Sequence, residues 1–118
     1  MCGLTTIFSY GTKASLVDFQ ELQKITDSMA KRGPDGRGLW ISNDKKIGFG
    51  HRRLSIIDLD DRASQPMLIN GRNGALSKYI ITFNGEIYNF KQLRGDLKLE
   101  GVKFVTESDT EVILRLYE

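Results

Sequence analysis

At 118 residues, 40% hydrophobic and 27% charged, the chain has the size and composition of one soluble globular domain with one core. Its net charge of +2 is too small to argue for a nucleic-acid or membrane-surface partner, and no apolar run approaches the roughly 18 residues of a transmembrane helix. A single cysteine excludes an internal disulfide and suits a reducing cytoplasm, and the N-terminus carries no signal-peptide pattern.

The chain opens on Met1-Cys2-Gly3. Removal of Met1 would leave a thiol and a free α-amine on one residue. The amine, with a reference pKa of about 7.7–8.0, is an adequate base beside a thiol near ~8.5. On Met-Cys alone, a disordered start is the plainer reading. Residues 3–10 read as a buried strand that would hold Cys2 at its start, and Gly11 ends it. Ser15-Leu16-Val17-Asp18 offers a capping box to a helix whose apolar face is Phe19, Leu22, Ile25 and Met29, ending near Arg32-Gly33. Residues 31–38, with Pro34 and three glycines, read as a tight turn, or as a loop bringing backbone close to a site.

Residues 39–42 and 47–54 form an expected hairpin about Asn43-Asp44. The second strand carries Gly48, Gly50, His51, Arg52 and Arg53. His51 is the chain's one histidine and reads as structural, because no second ligand or triad partner accompanies it. Arg53 suits bidentate capture of a substrate carboxylate, or faces solvent. Residues 55–58 extend that strand, 59–65 form a polar loop closed by Pro66, and 67–70 and 78–83 read as strands flanking a turn at 71–77. The latter runs into Asn84-Gly85, either a hairpin turn or an amide and a backbone N–H aimed at one point as an oxyanion hole. Phe90, Leu93 and Leu97 mark a helix, 102–105 a short strand, and Ser108-Asp109-Thr110-Glu111 a capping box opening a last helix. Asp109 either caps that helix or presents its carboxylate to an ammonium group. The sequence stops inside this helix, as expected of one part of a longer chain.

Taken together, Met1-Cys2-Gly3-Leu4, Arg32-Gly33-Pro34-Asp35, Arg53-Leu54-Ser55-Ile56-Ile57-Asp58, Gln65-Pro66-Met67, Asn84-Gly85-Glu86-Ile87-Tyr88-Asn89 and the 107–114 block resemble the N-terminal glutaminase domain of class II glutamine amidotransferases. These belong to the N-terminal-nucleophile hydrolases. Other branches read histidine where Phe83 precedes Asn84-Gly85; the blocks 32–35, 53–58, 65–67 and 84–89 resemble the glutamine-hydrolysing asparagine synthetases, a branch that includes relatives amidating sugars or other acceptors. Lys31 departs from the histidine common in that branch, with an expected effect at the surface only.

The resemblance implies that Cys2 is the nucleophile, that Asn84 and the Gly85 N–H form the oxyanion hole, and that Arg53 binds the α-carboxylate of glutamine. Asp109 and Glu86 would receive its α-ammonium, with backbone near Ile56 and Ile57 assisting. It implies an α+β fold, a four-layer αββα sandwich of antiparallel sheets truncated at its C-terminus, where alternating strands and helices alone fit a parallel α/β sheet. Residues 1–118 would be the N-terminal part of the glutaminase domain of a cytoplasmic enzyme. No metal or cofactor is expected in it. ATP and Mg²⁺ would serve a C-terminal synthetase domain, absent here, that uses the ammonia to amidate aspartate. Missing strands would leave open sheet edges that favour a homodimer. The rival readings are an N-terminal-cysteine amide hydrolase of another substrate class and a glutamine-binding remnant without turnover.

Overall fold

The computed structural model describes residues 1–71 and 79–118. Strands β1 (Gly3–Phe8), β2 (Gly36–Ile41) and β3 (Ile47–Arg53) form a sheet in the order β1-β3-β2, both pairings antiparallel. The pleat sends Gly3 and Thr5 inward and Leu4, Thr6 and Phe8 outward, the period-2 alternation of a strand covered on one face. Helix α1 (Phe19–Ser28) lies across that covered face. Its Leu22 and Thr26 are fully buried, and Thr26 Oγ1 sits 2.0 Å from where a Cβ on Gly50 would be, so β3 needs glycine there for the helix to approach.

Helices α2 (Phe90–Leu99) and α3 (Asp109–Tyr117) pack together around Leu97, Val102 and Val112, with Phe90, Leu93 and Phe104 at the margin. Met67, Ile69 and Leu114, with Ile81 against them, form a second cluster on α3. The sheet is antiparallel, so the parallel arrangement suggested by element order alone is set aside.

Several boundaries differ from expectation, each because a backbone group finds another partner. Asp18, not Ser15, caps α1, accepting from Glu21 N at 2.8 Å, while Val17 N is held by Lys45 O. The helix closes at Ser28 in tight turns, with Met29 N on Thr26 O and Arg32 N on Met29 O. Strand β2 begins at Gly36, inside the expected turn, because Asp35 N donates to Arg53 O and zips the chain onto β3 from there. Strand β3 stops at Arg53, and 55–58 leaves the sheet where Ser55 N turns to the Asp35 carboxylate. The expected strands at 67–70 and 78–83 reduce to one bridge between Met67 and Ile81. The expected turn at 71–77 and the first residue of the later strand fall largely outside the described residues. Residues 102–105 form no strand, since Val105 N donates to the Glu111 carboxylate.

Candidate active site

Register gathers the first wall of the site. Gly3 pairs with Arg52 and Gly36 with Arg53, so the ends of all three strands meet beside Cys2. Cys2 Sγ accepts from Leu54 N at 3.3 Å and faces Leu54 O at 3.7 Å, which fixes the thiol at the mouth of β3. The 31–35 loop closes over it: Arg32 Nε donates to Cys2 O at 3.2 Å. A Cβ on Gly33 would fall 2.3 Å from the Arg52 backbone, so this loop does bring main chain close to the site. Lys31 is exposed.

Arg53 does not simply face solvent. Its guanidinium donates to Asp60 O at 3.0 Å and to Asp58 O, and folds the 54–60 segment over the cleft. Asp60 in turn is clasped by Arg62, whose hydrogen bonds hold its carboxyl down at about 2. His51 is buried at 1% exposure beside Arg53. Burial pushes its pKa below the ordinary 6.5 and the Arg53 charge adds to this, against a backbone hydrogen bond at Phe83, so it is a neutral imidazole. Its Nε2 has no hydrogen-bond partner among the described residues.

The second wall is built from side chains holding backbone. Ser108 caps α3, accepting from Thr110 N at 3.1 Å, which leaves Asp109 free of the capping role. Buried at 6% exposure, Asp109 instead accepts from Ile87 N at 3.1 Å and so ties the helix to the Asn84–Asn89 segment. Arg94 donates to Thr106 O at 2.7 Å and Ser108 O at 2.8 Å, over the ring of Phe104. Glu111 accepts from Val105 N, Thr106 N and the Thr106 hydroxyl and pairs with Arg115 at 3.4 Å. The capping-box glutamate therefore serves the preceding loop and not the Ser108 N–H.

Between these walls lies a cleft of about 340 Å³. Every site residue expected from the sequence lines it: Cys2, Arg53, Ile56, Ile57, Asn84, Gly85, Glu86 and Asp109. They come from separate parts of the chain, and one concave surface holds a thiol, side-chain amides, a cationic fork and the carboxylates of Asp58, Glu86 and Asp109. Met1 also lines the cleft, joined to Cys2. Sequence reading missed the groups that hold these residues in place: Gln65, Arg94 and Glu111. Gln65 belongs to the Gln65-Pro66-Met67 motif, but nothing local signals Arg94. Among the described residues no cluster of His, Cys, Asp and Glu side chains could hold a metal ion, and no helix is long and apolar enough to cross a membrane.

A cleft that gathers a cysteine, an Asn-Gly pair, an arginine and carboxylates has the makings of an enzyme active site. The chain belongs to the glutamine amidotransferase domain family, whose profile matches residues 1–118. Among its relatives, asparagine synthetase (glutamine-hydrolysing) 1 of Bacillus subtilis is 42% identical, covering 99% of this chain and 17% of that protein. Asparagine synthetase (glutamine-hydrolysing) 3 of the same organism is 36% identical, covering 99% of this chain and 18% of its own length. Amidase chry2 of Gibberella zeae is 34% identical over 100% of this chain and 18% of that protein. The chain thus spans under a fifth of the length of these relatives. No solved structure matches it.

Proposed function

We propose that this chain hydrolyses glutamine to glutamate and ammonia through a thioester on Cys2. The observation that carries the reading is the convergence of Cys2, Asn84, Gly85, Arg53 and Asp109 on one cleft. Once Met1 is removed, the Cys2 α-amine takes the thiol proton and the thiolate attacks the side-chain amide carbon of glutamine. The oxyanion that forms is met by the Asn84 side-chain amide and the Gly85 N–H. As the tetrahedral centre collapses, the C–N bond breaks and ammonia leaves with the proton from the α-ammonium. Water then adds to the thioester, releasing glutamate and restoring the thiol.

Arg53 receives the α-carboxylate through N–H groups beyond those it donates to the 58–60 backbone, and Asp109 and Glu86 receive the α-ammonium. Backbone at Ile56 and Ile57 closes over the substrate. A free amino acid needs one cationic fork and a counter-carboxylate, and this cleft provides them.

On this reading residues 1–118 are the N-terminal part of a four-layer αββα glutaminase domain in a cytoplasmic enzyme. The ammonia passes to a synthetase domain of the same protein, which amidates aspartate. ATP and Mg²⁺ would serve that domain, and no step is assigned to either here. The likeness to a protein named an amidase keeps hydrolysis of another class of amide as the second reading. The edge strands β1 and β2 would favour pairing of two copies.

The test is intact mass together with glutamate release, for the wild type and Cys2→Ala. Mass lacking Met1, with release abolished by the substitution, is the expected result. Processed protein that hydrolyses bile-salt or penicillin-type amides but leaves glutamine intact would overturn the substrate assignment.

A further inference from the structure

The Gln65-Pro66-Met67 motif takes no part in the chemistry above, yet its first side chain joins the two segments that carry it. Gln65 Oε1 accepts from Phe83 N at 2.5 Å, and its Nε2 donates to Thr110 Oγ1 at 3.1 Å. Phe83 immediately precedes the Asn84-Gly85 pair, and Thr110 immediately follows Asp109. Thr110 is buried at 2% exposure, so this junction lies inside the wall of the cleft.

The local geometry explains why a side chain makes this link. Met67 and Ile81 exchange both backbone hydrogen bonds, at 2.7 and 3.0 Å. In a regular antiparallel ladder the next such pair would be residues 65 and 83, with Phe83 N donating to the main-chain carbonyl of Gln65. That carbonyl lies against β2 instead, where a Cβ on Gly38 would fall 1.9 Å from it. The side-chain carbonyl of Gln65 substitutes as the acceptor, and this leaves its amide nitrogen to reach Thr110. A planar amide has a fixed span, so the two bonds set one separation between the chain at Phe83 and the N-terminus of α3.

We propose that Gln65 is a positioning residue that fixes the distance between the oxyanion donors at Asn84-Gly85 and the ammonium-binding carboxylate of Asp109. The inference rests on the glutaminase reading above. Glutamine bridges those two groups, its side-chain carbonyl at one end and its α-ammonium at the other. Holding them at a set separation selects a substrate of that length and aligns its carbonyl with Cys2. Gln65 itself acts only through Phe83 and Thr110.

The test compares Gln65→Leu, Gln65→Glu and Thr110→Val in the full natural protein with Met1 removed. Gln65→Leu should lose on the order of 10²-fold in kcat/KM for glutamine, as small misplacements of reacting groups do. Alkylation of Cys2 by iodoacetamide, which needs neither arm, should proceed at the wild-type rate. Gln65→Glu should restore most of the turnover, because its carboxylate accepts from both Phe83 N and the Thr110 hydroxyl. Thr110→Val should raise KM more than it lowers kcat, since it frees the Asp109 side alone. Wild-type turnover in Gln65→Leu would overturn the inference and leave the glutaminase reading standing. So would alkylation and turnover falling together, without rescue by Gln65→Glu, since that marks a merely structural residue. A processed wild type that releases no glutamate would defeat the glutaminase reading first, and the positioning role with it.

Discussion

The two walls of the cleft are held by different physics. The wall carrying Cys2 and Arg53 is a backbone ladder: β1 and β2 both pair with β3, and the reactive residues sit at strand ends whose register is set by consecutive hydrogen bonds. Among the described residues, the wall carrying Asn84, Gly85, Glu86 and Asp109 has one isolated bridge near it and otherwise depends on buried and part-buried side chains that hold main-chain groups. A ladder spreads its stability over many similar bonds, whereas a polar clamp concentrates it in single residues. Point substitutions should therefore damage the second wall far more than the first.

The largest effect should come from Glu111. Glu111→Ala strips Val105 N, Thr106 N and the Thr106 hydroxyl of their acceptor and takes a carboxylate from buried Arg115. Breaking such a buried pair costs about 3–5 kcal/mol, and a denaturant midpoint measurement should show it. A loss near that of an exposed ion pair would mean the clamp is dispensable. Next is Asn84→Ala, which on the proposed mechanism removes one oxyanion donor. Turnover should drop ~10²–10³-fold, about 2.7–4 kcal/mol in the barrier, with little change in KM. A loss smaller than about tenfold would remove Asn84 from that role. Arg94→Met should follow, at about 1.5–3 kcal/mol of stability, because it forfeits charge-assisted bonds to Thr106 O and Ser108 O. Since those carbonyls lead into Asp109, KM for glutamine should rise as well. Stability lost at constant KM would separate the two functions of that clamp.

The same contrast governs what the sequence made legible. Strands of the first wall announce themselves by alternation and by their glycines, so β1 is legible to within two residues and β3 begins at the expected Ile47, although the expected extension over 55–58 fails. The candidate cleft residues are legible through the resemblance of their motifs; taken locally, the thiol at the start, the Asn-Gly pair and the arginine each leave a plainer reading open. The supports of the second wall carry no such sign. Residues 102–105 look like a strand by composition, and only the tertiary position of Glu111 diverts their donors. Ser15 looks like a helix cap, and only the bond from Val17 N to Lys45 O keeps that stretch extended until Asp18. Arg94 lies on a helix surface pattern and is buried only because α3 arrives beside it. Periodicity reports which face is apolar; it does not report which polar group a distant carbonyl will meet.

The smallest predicted effect tests the ladder wall, through pH. His51 sits in β3 as a neutral imidazole whose pKa burial has pushed below 6.5. Below pH 6.5 the unfolded chain binds a proton at this residue that the folded chain refuses. The unfolded state then holds more protons, so stability rises with pH across that window and is lost as pH falls from 6.5 toward the lowered folded value. The slope from one such group cannot exceed about 1.4 kcal/mol per pH unit. His51→Gln, which has no proton to gain, should flatten this part of the stability profile, measured by denaturant midpoints across the window. Because the ladder around His51 is carried by backbone, the substitution should shift the plateau stability above pH 7 far less than Glu111→Ala does. A profile equally steep in wild type and variant would mean that the acid sensitivity lies with other groups and that His51 is not held neutral. A collapse of the plateau as deep as that of Glu111→Ala would mean that the sheet wall, too, depends on a single polar clamp.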